Sequence, residues 1–179
     1  MEDDKALVES CLSGREEGYK MLYDQYAPLL YAQCLRMMHT ESLAEDALQE
    51  SFINIFQNIH QFRGEKPLLH WMRRIVTTTS LRLLKRNHAV HFSELKEVHH
   101  SVEDEDVYFH EDDVAYILSL IKSLPIGYRT IFNLFEIEGY SHKEISELLG
   151  IDIGTWRSQL YKAKRILQSK LQHYKNMVS

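Results

Sequence analysis

Glycine and proline are scarce, at 7 and 3 of 179 residues. A fold of many tight turns leans on both, so a many-stranded β architecture is disfavoured. Cysteine is rarer still, with Cys11 and Cys34 alone. Two isolated thiols make neither a disulfide framework nor a cysteine zinc site, and they suit a reducing cytoplasm. No apolar run approaches the roughly 18 residues of a membrane span, so no membrane insertion is expected. The opening Met1-Glu2-Asp3-Asp4 is acidic where a secretory leader would be basic and then apolar, which argues against export.

What is present is charge, unevenly spread. The net charge of −5 hides three blocks. Between Arg63 and Arg86, Arg63, Lys66, Arg73, Arg74, Arg82, Lys85 and Arg86 stand against Glu65 alone. Between Ile153 and Lys175 the bases Arg157, Lys162, Lys164, Arg165, Lys170 and Lys175 face no acid. Between them, from His88 to Asp113, nine acids stand against Lys96. Two basic surfaces separated by an acidic segment can attract phosphate whatever the total charge, because counterion release is local.

Apolar spacing is helical almost throughout. Tyr19, Leu22, Tyr23 and Tyr26 form one stripe; Pro28 then suits the first turn of a new helix carrying Leu30, Cys34, Leu35 and Met38. Ser42 and Glu45 have capping-box spacing ahead of Leu43, Ala47, Leu48, Phe52, Ile55, Phe56 and Ile59. After a break at 62–67, Leu68, Trp71, Met72, Ile75 and Val76 begin another helix that continues through Leu83 and Leu84. The tyrosine stripe and Trp71 are expected in the core, whereas Phe62 either closes the core or stacks on unpaired bases. Residues 88–112 are acidic and aperiodic and read as a linker. Helical pattern resumes at Val114, restarts at Leu124-Pro125 and stops at Gly139. The expected fold is all-α: two small helical domains, 1–87 and 113–179, joined by that acidic flexible linker.

The sharpest local pattern follows Gly139. Ser141 and Glu144 form a second capping box, and a short helix over Lys143–Leu149 turns Ile145, Leu148 and Leu149 inward. Gly150-Ile151-Asp152 makes a tight turn, and a basic helix starts near Ile153. This is the helix-turn-helix signature, in which the first helix props the second in the major groove. Leu160, Ala163, Ile166 and Leu167 face the core. That leaves Arg157, Ser158, Gln159, Tyr161, Lys162 and Lys164 for DNA. The bland alternative is a surface helical hairpin with solvated bases.

Other constellations are weaker. His99, His100 and His110 offer no helical ligand pair with a third partner, so no metal and no cofactor is expected. Asp46 and Glu50, four apart, lack the pocket a catalytic carboxylate pair needs, and an exposed docking face suits them better.

The run from Tyr140 to Lys164, YSHKEISELLGIDIGTWRSQLYKAK, resembles region 4 of the extracytoplasmic-function (ECF) sigma factors of the sigma-70 family, as does the preceding Leu124-Pro125. YDQYAPLLY from Tyr23 to Tyr31 is similar to the opening of region 2, and AEDALQESFI from Ala44 to Ile53 to its "A-E-D-x-x-Q-E-x-F" helix. Phe62-Arg63-Gly64 and Trp71 to Ile75, WMRRI, are similar to the part that reads the −10 element. The resemblance covers nearly the whole chain.

It implies a protein with no enzymatic activity that brings core RNA polymerase to promoters. Asp46, Gln49, Glu50 and Asn54 would dock on the β′ clamp helices, and region 4 would meet the β flap. Phe62, Arg63, Lys66, Arg73, Arg74, Thr78, Arg82, Lys85 and Arg86 would meet the −10 element, where a base leaves the stack. Thr155, Trp156, Arg157, Ser158, Gln159, Tyr161, Lys162, Lys164 and Arg165 would meet the −35 duplex. The acidic linker resembles a segment that threads the RNA exit path; as a plug it would mimic nucleic acid, and otherwise it is a solubilising tether. An anti-sigma factor is implied as a further partner. Four positions depart from the family: Thr78 stands for Asn, Arg82 for an acid or Asn, Trp156 for Val and Gln159 for Arg. Trp156 must sit against either the domain core or the DNA backbone. The competing functional reading is a free-standing, dimeric, operator-binding regulator; an enzyme or metal-dependent module is the third.

Overall fold

The computed structural model describes residues 2–86 and 113–178, all of them in helices, turns or short connections. The linker expected over 88–112 lies outside the described residues. The chain divides into two compact units, the first carrying helices α1–α4 and the second α5–α8.

In the first unit α1 spans Glu2–Leu12, α2 Glu16–Met37, α3 Glu41–Asn58 and α4 Leu68–Arg86, with a 3-10 turn at Ile59–Gln61. The sequence pattern divides α2 at Pro28, yet the helix runs through it. Proline removes one backbone donor, and Leu22, Tyr26, Leu30, Cys34 and Met37 bury one continuous stripe across it. The burial of that stripe outweighs the lost bond. Helix α3 starts earlier than the Ser42/Glu45 pattern indicates. Its cap is Thr40, whose Oγ1 accepts from Leu43 N at 3.3 Å. Its buried face is Ala44, Ala47, Phe52 and Ile55. Tyr26 alone of the tyrosine stripe is buried; Tyr19 is half-buried and Tyr23 is 44% exposed. Tyr23 and Tyr19 instead edge the α2–α3 seam, against Phe52 at 4.6 Å and Phe56 at 5.1 Å between centroids.

Helix α1 has too weak a pattern to be read from sequence. It is held by Leu7, Val8 and Cys11, all buried, and by Asp4. The Asp4 carboxylate accepts from Tyr26 Oη at 2.8 Å and from the backbone N of Leu68 at 3.3 Å. Asp4 thus supplies an N-terminal cap to α4 from the far end of the unit. The α1–α2 crossing requires Gly18: a Cβ there would lie 2.8 Å from Ser10 C and 2.9 Å from Cys11 N.

In the second unit α5 spans Asp113–Lys122, α6 Ile126–Phe132, α7 His142–Leu149 and α8 Ile153–Val178. Pro125 begins α6 as expected, its carbonyl accepting from Arg129 N at 2.9 Å. The buried Arg129 guanidinium donates to Lys122 O at 3.0 Å and closes the end of α5. Helix α6 widens into a π-helical turn, Asn133–Ile137, before Gly139. Tyr116, Leu120, Leu124, Ala163 and Leu167 form the core between α5 and α8.

Candidate nucleic-acid interface

The first candidate surface forms where α4 begins. Phe62 packs on Trp71 with ring centroids 5.7 Å apart, and both are half-buried. Here a pocket of about 220 Å³ is lined by Gln61, Phe62, Arg63, Gly64, Glu65, Lys66, His70, Trp71 and Arg74. It is smaller than a drug-sized ligand needs, roughly 300–1,000 Å³. An aromatic wall with Arg63, Lys66 and Arg74 on the rim suits one unstacked base with its phosphate. Such stacking contributes ~1–3 kcal/mol per base. Phe62 and Trp71 both line this pocket, which leaves Trp71 outside the closed core.

From the pocket, Arg74, Thr78, Arg82, Lys85 and Arg86 continue along one exposed face of α4 at helical spacing. Arg73 is half-buried beside this face, its Nε out of contact with solvent. The Thr78 hydroxyl donates to its own helix, at 3.2 Å to Arg74 O and 3.0 Å to Ile75 O, and does not line the pocket. Arg82 forms an ion pair with Glu50 across the α3–α4 seam.

That ion pair splits the docking set read from sequence. Asp46 and Gln49 lie on the exposed face of α3, with Ile53 49% exposed beside them. Glu50 is turned to Arg82, and Asn54 Nδ2 donates to Thr79 Oγ1 of α4 at 3.1 Å. Asn54 is therefore committed to holding two helices together.

The second surface is the helix-turn-helix. The capping box is complete: Ser141 Oγ accepts from Glu144 N at 3.3 Å, and Glu144 Oε2 accepts from Ser141 N at 2.9 Å. Gly150 sits at φ 71°, ψ 33°, a left-handed turn that only glycine adopts without strain. Asp152 then caps α8, a role its place in the turn had hidden: Thr155 N donates to Oδ1 at 3.0 Å and the Thr155 hydroxyl to Oδ2. Those bonds hold the Asp152 carboxyl below the usual carboxylate range, the hydroxyl contributing most.

On α8 the positions separate cleanly. Arg157, Ser158, Tyr161, Lys164 and Arg165 are exposed, Tyr161 at 62%. Lys162 and Thr155 are intermediate. Lys164 Nζ meets Glu136 Oε1 at 2.6 Å, and Arg165 donates to Tyr161 Oη at 3.3 Å. Two residues expected at DNA are corrected. Trp156 is fully buried and Gln159 is 4% exposed, so neither side chain reaches a base or phosphate. The reason is register: positions 156, 159, 160, 163 and 167 form the inward face of α8. Trp156 takes the core alternative and stacks on His142 at 4.8 Å, with Phe135 at 5.6 Å. His142 and Phe135 also stack at 5.1 Å. No spacing in the sequence marked this three-ring cluster.

Cys11 and Cys34 are free and buried, and burial pushes the Cys34 thiol up to about 12, which makes it a poor ligand or nucleophile at neutral pH. Among the described residues no group of three His, Cys, Asp or Glu side chains is arranged to hold a metal. His99, His100 and His110 lie outside them. Among the described residues no helix is long and apolar enough to cross a membrane.

Comparison with known proteins follows the same division. The family model for Sigma-70 region 2 matches residues 22–90, and that for Sigma-70, region 4, matches residues 115–167. The ECF RNA polymerase sigma-E factor of Haemophilus influenzae is 28% identical over 184 residues, covering 94% of this chain and 95% of its own. The RNA polymerase sigma-H factor of Pseudomonas aeruginosa is 27% identical over 188 residues, covering 96% and 95%. The sigma factor RpoE of Bartonella quintana, solved with the anti-sigma factor NepR, shares the fold with a TM-score of 0.54 at 19% identity, over 86% of this chain and 96% of its own. With both regions matched in order and relatives running its full length, the chain belongs to the sigma-70 family, as an ECF RNA polymerase sigma factor.

Proposed function

We propose that this sigma factor grips its promoter with two surfaces of different chemistry, one for a separated strand and one for a duplex. As a member of its family it acts with RNA polymerase in promoter recognition and transcription initiation. The observation that carries the division of labour is the aromatic pocket under a cationic rim at the start of α4. A duplex reader has no use for such a pocket, because duplex bases are already stacked. An unpaired −10 base stacks on Phe62 and Trp71, and Arg63, Lys66 and Arg74 hold its phosphates. Arg82, Lys85 and Arg86 then track the backbone along α4. In the second unit Arg157, Ser158, Tyr161 and Arg165 face the −35 duplex, with Lys162 and Lys164 at its phosphates.

Asp46 and Gln49 dock on the β′ clamp helices, with Ile53 as the apolar centre of that face, and the second unit meets the β flap. The protein catalyses no reaction of its own and works in the cytoplasm, where its two thiols stay reduced. An inhibitor of the anti-sigma class is its further partner, as NepR is for the Bartonella quintana factor.

Reconstitution tests the whole reading. The purified chain with core polymerase should start transcripts at discrete sites on genomic fragments, and neither component alone should. Absence of any such transcript from inhibitor-free protein would sink it. Docking is tested by Asp46→Lys with Gln49→Lys, which should abolish core binding and leave the helical circular dichroism unchanged. Glu50 is a poorer choice for that test, since a lysine there would confront Arg82.

A further inference from the structure

We infer that His142 is a positioning residue for promoter discrimination: in its neutral form it orients Arg157 on the exposed face of α8. The inference rests on the reading of Arg157 as a DNA contact. Arg157 is exposed on the outward face, and its Nη2 lies 3.3 Å from His142 Nε2, within hydrogen-bond reach. An arginine carries donors only, so Nε2 must be the acceptor and the imidazole must be neutral. The ring itself is held. It stacks on Trp156 and on Phe135, and it is the first residue of α7, set by the Ser141–Glu144 capping box. A fixed acceptor beside a long, flexible cation removes rotamers before DNA arrives, and ordering such a side chain is a real cost of binding.

Protonation reverses the contact. Nε2 becomes a donor, and a second cation faces the guanidinium. The tautomer that serves Arg157 carries its proton on Nδ1, which is buried with no hydrogen-bond partner. The surrounding elements carry Glu136 in the π-helical turn and Glu138 just after it, Lys143, Glu144 and Glu147 on α7, and Arg157, Lys162, Lys164 and Arg165 on α8. Glu136 is engaged by Lys164, Glu144 by Ser141, and Lys143 lies 3.9 Å from Glu147. Arg157 is the cation that meets the imidazole. Acidification therefore releases Arg157. The same proton also adds positive charge near phosphate, which strengthens binding to any sequence. Discrimination, not affinity, is the quantity that separates the two effects.

The test uses holoenzyme and a labelled duplex selected from a randomised pool by the wild-type holoenzyme, against the same duplex with its upstream element scrambled. The ratio of the two affinities is followed from about pH 8 to about pH 5.5. For the wild type it should fall roughly two- to tenfold, the size of one ordered side chain. His142→Gln, which offers an oxygen acceptor and does not titrate, should give a flat profile. His142→Phe, which keeps a ring and loses the acceptor, should sit at the acid level throughout. Parallel wild-type and His142→Gln profiles, or wild-type discrimination that rises in acid, would overturn the inference. A variant-free readout guards against misfolding: in the full chain, the Arg157 side-chain NMR signal should move together with the His142 ring signal as pH is lowered. Independent movement of the two also overturns it. Arg157→Ala separates the underlying reading. If it leaves discrimination at pH 8 unchanged, Arg157 is not a DNA contact, while the NMR titration still decides the pairing.

Discussion

Helices α4 and α8 both carry a basic outward face over an apolar inner one, but α4 adds hydrogen bonds to its neighbours where α8 adds an aromatic cluster. The inner side of α4 buries Leu68, Met72, Val76, Leu81, Leu83 and Leu84, and among them the hydroxyls of Thr77, Thr79 and Ser80. Gln33 Nε2 donates to Thr77 Oγ1 at 3.0 Å and to Arg73 O at 3.2 Å, Asn54 donates to Thr79, and on the outward edge Glu50 pairs with Arg82. The inner side of α8 is held by Trp156, Leu160, Ala163 and Leu167, with Gln159 buried among them and the Trp156 ring set in an aromatic cluster. A helix laid into a groove as a rigid rod benefits from apolar anchoring, which is strong and insensitive to the charge of what it touches. A helix beside a strand-capturing pocket sits amid hydrogen-bonded groups whose directions fix each side chain individually. The added hydrogen bonds of α4 thus lie beside the surface proposed for a separated strand.

The largest perturbation that would break this contrast is Trp156→Ala. Deleting a fully buried tryptophan should cost ~3–5 kcal/mol. Hydrogen exchange should show the loss in α6–α8; an effect centred on α1–α4 would contradict the anchoring argument. Next comes a matched pair. Trp71→Ala should weaken holoenzyme binding to a forked template with an unpaired −10 strand by ~1–3 kcal/mol. Arg157→Ala should weaken binding to the −35 duplex by ~1–3 kcal/mol if it reads a base. Each variant should spare the other's substrate; crossed effects in a fluorescence anisotropy titration would merge the two surfaces into one. Glu50→Ala is smaller, since a partly exposed ion pair contributes ~0–1 kcal/mol to stability. Denaturant unfolding should register little, while a salt series on −10 binding should steepen as Arg82 turns to phosphate. The smallest is the cap of α8. The Asp152 carboxyl is held low, so its contribution is present above the unfolded carboxylate range and fades as pH falls through its folded value. The protection of the Thr155 amide, measured against intrinsic exchange at each pH, should fall there in the wild type and be low at all pH in Asp152→Ala.

Much of this architecture was readable from residue spacing. The second capping box, the Gly150 turn, the start of α8 at Ile153 and the α4 pattern all have causes within a few residues. What escaped depends on distant partners. Continuity of α2 through Pro28 is decided by the stripe it buries on its neighbours, and α1 by an Asp4 whose partners lie 22 and 64 residues away. In the site, the basic positions of α4 and α8 could be picked out by composition, but composition cannot tell an exposed position from a buried one. The burial of Trp156 and Gln159 needed the register of α8 against α6 and α7, and the bonds of Glu50 and Asn54 needed the α3–α4 seam. His142 became visible only once three rings from three elements were seen together.

The reach of Asp4 also orders events while the chain is being made. Its partner at Leu68 emerges 64 residues later, some seconds at a synthesis rate of about 5–20 residues per second. Until then α1 has its seam with α2, closed at Gly18 and Tyr26, and the second Asp4 oxygen waits for its donor. The first unit can close only after its last helix begins to appear, because the cap of α4 is held by its first helix.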